Sequence, residues 1–425
     1  PLTWLDWQEV SDGQQKLAEW LEADRLQGFT LSADPLMRLT VMQLSQNCYR
    51  IVWTHHHILL DGWSLPILLQ EWMMGYRAAC GQDMPQLAPP PSYRDYIVWL
   101  QKQDLNQAKQ FWKKQLAGIT APTPLGIDRG LSSSAQSDYQ AQHFSLSIEL
   151  TQKLKTFAQR HRLTLSTLVQ GAWARILSCY SGESAVLYGL ACSGRPSSLP
   201  QSEHRVGLFI NTLPMVVAIA PDDEIGPWLQ DIQAQQLAIQ PYEYTPLVEI
   251  QAVSDIAKTL PLFESVVVFE NYPIQSRQEN NGLELADVSV IEQTHYPLTL
   301  FAVATEKLAF KALYDRNRFS DASISRLLGH LQTVLESMVA RGTSYVKDIA
   351  LLSKAEKEQL FADGCSFTNR APKHCVHQAV AHQAVQTPDA TAIIFDGESL
   401  SYDQLNQRAN QLAHYLKQQG ITTGT

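Results

Sequence analysis

The sequence predicts an α/β protein whose strands and helices build a mixed sandwich. Strand-like and helical apolar patterns are interleaved along the chain, and several strand candidates follow one another directly. Hydrophobic residues make up 45% and charged residues 18% of the chain, which is typical of globular proteins. A chain of 425 residues can hold about two or three domains, each with its own core.

The composition excludes several classes of protein. Asp and Glu (42) outnumber Lys and Arg (33), and no run of five or more basic residues occurs, so no nucleic-acid partner is predicted. The opening residues lack the basic and apolar regions of a signal peptide, and no apolar stretch reaches the roughly 18 residues of a membrane span. The six cysteines are scattered without a CxxC pair, as reduced thiols are. We predict a cytoplasmic protein without a membrane partner.

The first predicted unit covers residues 1–120. Apolar residues spaced for one buried helical face occupy 12–26. Two strand-like runs, 36–44 and 49–54, are separated by a polar turn and predict a hairpin. Helical spacing resumes after this hairpin, and one long helix is predicted over 93–116.

A stretch rich in Gly, Pro, Ser and Thr, 118–136, marks the predicted boundary to a second unit, 137–345. The helices predicted in this unit are 149–161, 164–180 and 321–340. Its strand candidates are 143–148, 185–192, 208–219, 263–270, 283–292, 298–305 and 308–315.

The remaining residues divide into a predicted linker, 346–372, and the beginning of a third unit, 373–425. The linker contains a short helix near 354–361. The third unit follows the pattern helix, strand, turn and helix, over 376–385, 390–395 and 402–419. About 50 residues are too few for an independent core. Because the chain also starts without Met, we expect a fragment of a larger protein.

The strongest local signal is the pattern HHxxxDG, formed by His56, His57, Asp61 and Gly62. These residue types at these offsets arise by chance in on the order of one chain in a thousand. A strand holds the histidines rigidly, and glycine permits the turn that follows. An imidazole with a pKa of about 6.5 can accept a proton from an attacking amine at neutral pH. Asp61 either orients the imidazole or pairs with an arginine and holds the loop.

The run HHHILLDGWS resembles the active-site motif of the condensation domains of non-ribosomal peptide synthetases. Further segments resemble motifs of the same family in the same order, and together they extend the resemblance over residues 1 to about 345. These segments are Tyr93–Trp99, Val206–Thr212, Gln240–Leu247, Phe269–Pro273, Tyr296–Leu298 and Tyr314–Phe319.

The resemblance implies two chloramphenicol-acetyltransferase-like α/β lobes in a V, with a catalytic site of His56, His57, Asp61 and Gly62 at a central channel. His57 would take the proton from the attacking amine, or hold the amine and the tetrahedral intermediate in place. Asp61 would pair with an arginine, and Gly62 would leave an N–H and open space near the reacting carbonyl. The family's opening segments are missing from this sequence, and the arginine partner is expected in that missing part.

The resemblance also places Trp63, Ser64 and Asn211 along the substrate channel. Ser64 suggests an acyl-enzyme, but no GxSxG motif surrounds it, so direct transfer is favoured. Asn211 is either a channel contact or a residue that satisfies backbone groups at a strand end. His55 is predicted to be a bystander on the strand face opposite His56. No metal site is predicted, because neighbouring strand residues alternate between faces and cannot converge on one ion.

The end of the chain resembles the opening of an adenylation domain, through Gln386–Ala390, Leu400–Asn406 and Ala409–Ala413. ATP and Mg²⁺ would serve only the complete adenylation domain, since the glycine-rich phosphate loop is absent from these residues. The condensation domain itself is predicted to need no cofactor, because phosphopantetheine belongs to its partners. Those partners are the upstream and downstream peptidyl carrier proteins and the adjoining adenylation domain.

The predicted activity is amide-bond formation between aminoacyl or peptidyl thioesters that are bound to carrier proteins. One alternative is an epimerization domain of the same superfamily, which carries HHxxxDG but inverts a Cα centre. The Asp61-Gly62-Trp63-Ser64 continuation and the adenylation start downstream favour condensation. A second alternative is a non-catalytic platform that only binds carrier proteins.

Overall fold

The computed structural model describes residues 1–10, 12–33, 35–81, 87–128, 138–270, 288–340, 344–364 and 375–422. The chain divides into two units, Pro1–Ser353 and Lys354–Thr425. The predicted class is confirmed, because each unit combines helices with at least one sheet.

The first unit begins with a three-stranded sheet of β1 (Leu2–Asp6), β2 (Met37–Ser45) and β3 (Cys48–His55), with the strands in that order. The predicted hairpin is confirmed, since β2 and β3 pair in antiparallel register. Strand β1 pairs in parallel with β2 and was not predicted, because five residues at a chain terminus offer little periodicity. The helices of this part are α1 (Gly13–Gln27) and α2 (Ser64–Ala79).

The single long helix predicted over 93–116 is wrong. The structure has two helices, α3 (Tyr93–Gln101) and α4 (Leu105–Gln115). Asp104 separates them, because its carboxylate accepts hydrogen bonds from the backbone N–H groups of Asn106 (2.9 Å) and Gln107 (3.2 Å). This N-cap satisfies two N–H groups that have no partner within the new helix, and the apolar spacing alone does not reveal it.

The second sheet of this unit has six strands in the order β4-β9-β8-β7-β5-β6. Its strands are β4 (Tyr139–Ser145), β5 (Ala185–Cys192), β6 (Asn211–Ala218), β7 (Ser265–Glu270), β8 (Leu298–Ala304) and β9 (Leu308–Asp315). The pairs β5–β7 and β7–β8 are parallel, and the other neighbours are antiparallel. In the predicted strand 283–292, residues 288–292 form no strand and 283–287 lie outside the described residues.

Helices accompany this sheet and complete its core. They are α5 (Ile148–His161), α6 (Leu165–Ser181), α7 (Ile225–Ile239), α8 (Leu247–Val253) and α9 (Asp321–Met338). The sequence predicted α5, α6 and α9 and missed α7 and α8. Helix α6 is buried along most of its length and packs on β5, α7 and α9. The central strands are apolar on both faces, as expected for a sheet that is covered on both sides.

The second unit contains α10 (Lys354–Gly364), α11 (Val376–Gln386), β10 (Thr391–Phe395), β11 (Glu398–Ser401) and α12 (Tyr402–Gln418). Strands β10 and β11 form an antiparallel hairpin around Gly397, whose φ of +82° favours glycine. In the described part of the chain, no helix is long and apolar enough to cross a membrane.

Two leucines test whether the burial of α6 stabilises the first unit. Leu177→Ala removes a fully buried side chain and is expected to lower the free energy of unfolding by about 2–5 kcal/mol. Leu237→Ala on α7 removes a side chain that is 56% exposed and is expected to change it by less than about 0.5 kcal/mol. Urea unfolding, monitored by tryptophan fluorescence, measures the free energy of unfolding of both variants. Equal losses in the two variants would show that α6 is not the core helix.

Candidate active site

The two motif histidines lie where β3 ends and the chain turns. The N–H of His56 donates to the Leu36 carbonyl (2.9 Å), which continues the strand pairing by one residue. The half-buried His56 ring accepts a hydrogen bond at Nδ1 from the N–H of Ile58 (3.1 Å), so this histidine fixes the turn. His57 is exposed, and its carbonyl accepts from Leu60 N–H (3.3 Å). The backbone is therefore held while the His57 imidazole faces outward.

His55 precedes this pair on β3. Its half-buried ring lies 5.8 Å from the ring of Trp53, centroid to centroid. Burial lowers the pKa of His55 below its ordinary value, and charge on His57 and His56 lowers it further.

Asp61 is fully buried and anchors the loop that follows the histidines. Its carboxylate accepts from Nη2 of Arg195 at 2.9 and 3.1 Å, from the Ser64 N–H at 3.0 Å and from the Phe209 N–H at 3.1 Å. The Ser64 hydroxyl lies 2.8 Å from the same carboxylate. Among the described residues, all its hydrogen-bond donors are these three, and none is a histidine. The arrangement is that of a loop anchor.

Arg195 corrects the expectation that the partner of Asp61 belongs to a missing segment. It follows β5 and is nearly buried, with its guanidinium 4.1 Å from the Phe209 ring centroid. Its Nη1 also donates to the carbonyls of Ser202 (2.5 Å) and Arg205 (2.8 Å). In the sequence, Arg195 is marked only by the run Gly194-Arg195-Pro196 at the end of a predicted strand. Only the folded structure shows that its side chain reaches Asp61 of the motif.

Gly194 is required next to this arginine. Its φ is +63°, and an added Cβ would lie 1.8 Å from the Phe209 carbonyl oxygen. Any side chain at this position would push apart the two segments that hold Asp61.

Ser64 and Gly207 complete the anchor. The buried Ser64 hydroxyl accepts from the Gly207 N–H (3.0 Å) and lies 2.9 Å from the Gly207 carbonyl, while the Asp61 N–H donates to that carbonyl (3.2 Å). The observed contacts of the Ser64 hydroxyl are thus structural ones, to Asp61 and Gly207. Gly62 and Trp63 lie between Asp61 and Ser64 in the chain, immediately before α2, and both are half-buried.

The predicted Tyr93–Trp99 segment packs against the segment that follows β5. Tyr93 donates to the Leu208 carbonyl (2.5 Å), and its ring occupies the space where a Gly207 side chain would be. Tyr96 lies 4.4 Å from Phe209, centroid to centroid, and burial is the main cause that raises its pKa to about 12. Arg205 donates to the Ser92 carbonyl and to Asp95. These contacts serve packing.

Asn211 begins β6 and bonds to backbone groups. Its Nδ2 donates to the carbonyls of Glu243 and Thr245, both at 2.8 Å. Glu243 in turn accepts the Gly194 N–H at its carboxylate (3.0 Å). Of the two roles left open for Asn211, the observed contacts are those of a backbone satisfier at a strand end. Sequence reasoning did not single out Glu243.

The described residues contain no group of three or more His, Cys, Asp or Glu that could hold a metal ion. The chemistry that the site offers is an exposed imidazole on a fixed turn, beside a buried ion pair. Such an imidazole can accept a proton from an amine that approaches it. Asn271, Tyr272 and Pro273 of the predicted Phe269–Pro273 segment lie outside the described residues.

Comparison with protein families matches residues 1–361 to the condensation domain and residues 380–425 to the AMP-binding enzymes. Among curated proteins, the chain is 43% identical to a linear gramicidin synthase of Brevibacillus parabrevis over 100% of its length. It is 32% identical to bacitracin synthase 3 of Bacillus licheniformis over 98%, and 32% identical to tyrocidine synthase 2 of Brevibacillus parabrevis over 98%. The chain spans only 9%, 7% and 12% of these three proteins.

Solved structures agree on the fold. A four-domain nonribosomal peptide synthetase bound to AMP and glycine matches with a TM-score of 0.72 and 20% identity, over 100% of this chain and 33% of that one. The X-domain from teicoplanin biosynthesis matches with a TM-score of 0.71 and 21% identity, over 83% of this chain and 81% of that one. The predicted resemblance is confirmed, and the chain belongs to the condensation domain family of non-ribosomal peptide synthetases.

Proposed function

We propose that this chain forms amide bonds between thioesters carried by two peptidyl carrier proteins, as one domain of a larger synthetase. The amine of the acceptor attacks the donor carbonyl, the tetrahedral intermediate collapses, and the donor pantetheine leaves as a thiol. The products are a new amide on the acceptor carrier and a free donor arm. The observation that supports this function best is the exposed His57 imidazole at the end of a strand whose following loop is anchored by Asp61 and Arg195.

His57 is proposed as the group that takes the amine proton or holds the amine and the intermediate. The fixed turn supports either role, because the Leu60 N–H binds the His57 carbonyl and the His56 ring binds the next N–H, that of Ile58, while the His57 side chain stays exposed. Positioning of two reactants can contribute about 7–11 kcal/mol to a bimolecular step. General-base catalysis by a positioned side chain typically contributes about 10²–10⁴-fold.

The proposal also defines the partners of this domain and the origin of the phosphopantetheine groups. The donor and acceptor arms are phosphopantetheine groups of the carriers, so they are substrates of this domain. The domain boundaries remain predictions, with two lobes over 1–120 and 137–345, a linker over 346–372 and an adenylation start over 373–425. A cytoplasmic location also remains a prediction. No ATP-dependent step is assigned, because the sequence of residues 373–425 contains no glycine-rich phosphate loop.

A first experiment replaces His57 in the synthetase module that carries this domain. With donor and acceptor carriers both loaded, His57→Ala is expected to lower the single-turnover rate of dipeptidyl thioester formation by about 10²–10⁴-fold. His204→Ala removes an imidazole whose side chain is 70% exposed, outside the motif, and serves as the matched control.

The products separate the alternatives. An unchanged amide yield in His57→Ala would contradict the assigned role of His57. Inverted donor stereochemistry without a new amide would indicate an epimerization domain, and carrier binding without either product would indicate a platform. Mass spectrometry of the released thioesters, with chiral analysis of the donor residue, distinguishes these outcomes.

A second experiment removes the loop anchor. Asp61→Ala leaves the nearly buried Arg195 without its carboxylate, and we expect the free energy of unfolding to fall by about 3–5 kcal/mol. The amide-forming rate should fall as well, because the loop after His57 loses its anchor. Asp222→Ala breaks the exposed ion pair with Lys347 and should leave both quantities close to wild type. A stable and fully active Asp61→Ala variant would show that the ion pair does not hold the site.

A further inference from the structure

Glu243 is an ionisable residue at the site that the proposed chemistry does not use. It lies between the short 3-10 helix Gln240–Tyr242 and α8. Burial raises the pKa of its carboxyl group, while hydrogen bonds from the Gly194 N–H and the Cys192 thiol lower it. The buried Cys192 thiol has its own pKa raised, first by burial and then by the Glu243 carboxylate. A carboxylate that is largely removed from water in this way needs such donors.

The same residue is bonded through its backbone. The Glu243 carbonyl accepts one of the two hydrogen bonds from Asn211 Nδ2, and the Thr245 carbonyl accepts the other. The side chain of Glu243 therefore binds Gly194, two residues after β5, and its main chain binds Asn211 at the start of β6, the neighbour of β5 in the sheet. The segment 243–245 ties these two strand ends together.

The contact with Gly194 connects Glu243 to the Asp61–Arg195 ion pair, which anchors the loop after His57. Gly194 precedes Arg195, and Arg195 donates to both oxygens of Asp61. Gly194 has no room to shift toward the Phe209 carbonyl, which already lies where a side chain would be. The Glu243 carboxylate accepts a hydrogen bond from the N–H of the same glycine.

We propose that Glu243 is a positioning residue for amide formation, which acts through Gly194 and Arg195 on Asp61 and thereby on the loop that follows His57. This inference rests on the proposed function. The carboxylate fixes the backbone at Gly194, and that backbone aims the Arg195 guanidinium at Asp61. Glu243 itself does not exchange a proton with substrate.

Two substitutions of similar volume test the proposal in the synthetase module. Glu243→Gln keeps a side-chain oxygen for the Gly194 N–H and should retain most of the wild-type rate of dipeptidyl thioester formation. Glu243→Leu removes the acceptor and should lower the single-turnover rate by about 10- to 100-fold, as expected for a misplaced catalytic loop. Glu249→Ala on α8 breaks a half-exposed ion pair with Lys109 and serves as the matched control.

Two further measurements distinguish positioning from a general loss of structure. Hydrogen exchange of the Gly194 and Arg195 amides should accelerate in Glu243→Leu, while exchange in α6 stays at the wild-type rate. In a double-mutant cycle, Glu243→Leu should add little to the rate loss of Asp61→Ala, because both substitutions release the same loop. Should the leucine variant not fold, Glu243→Asp, which withdraws the carboxylate by one methylene, replaces it with the same expectations.

The outcomes are separable from those for the proposed function. If wild type forms the amide and His57→Ala does not, the function stands, and an unchanged rate in a folded Glu243→Leu variant overturns only the role of Glu243. The role of Glu243 is also overturned if the double variant loses rate by the product of the losses in Glu243→Leu and Asp61→Ala. If no amide forms even in wild type, exchange at Gly194 still decides whether Glu243 holds this backbone.

Discussion

The buried ion pair between Asp61 and Arg195 is the interaction on which the site depends. The two residues are 134 positions apart in the chain, yet their side chains are 0% and 5% exposed. Desolvation of two charges is expensive, and it is offset only when each charge has further partners. Asp61 has Ser64 and Phe209 N–H groups, and Arg195 has the carbonyls of Ser202 and Arg205. The pair is therefore specific for one arrangement of these segments.

This arrangement explains why residues of little chemical interest surround the pair. Gly194 and Gly207 are positions where a Cβ would collide with Phe209 and Tyr93, so the backbones approach closely. The buried Phe209 ring lies 4.1 Å from the Arg195 guanidinium, and the buried Tyr96 ring packs against Phe209. Lower water access strengthens the interaction between the charges. Packing and electrostatics thus support the same geometry.

The exposed His57 contrasts with the buried Asp61, which anchors the loop that follows it. Under the proposed function, His57 meets substrates that other proteins deliver, so its side chain must be accessible while its position must be reproducible. The structure separates these two requirements, with accessibility at His57 and rigidity at His56 and Asp61. Precise placement of a catalytic side chain generally depends on such supporting contacts.

The sequence alone determined the mixed α/β class, the hairpin that delivers the histidines, and the motif with its family. These features depend on local periodicity and on residue types at fixed offsets, which any reader of the chain can see. It did not reveal the break at Asp104, because one N-cap overrides an otherwise continuous helical pattern. Only the tertiary structure decided that Arg195 is the partner of Asp61 and that Glu243 bonds the glycine before it. Those contacts join segments far apart in the chain, and their identity depends on which strand ends the six-stranded sheet brings together.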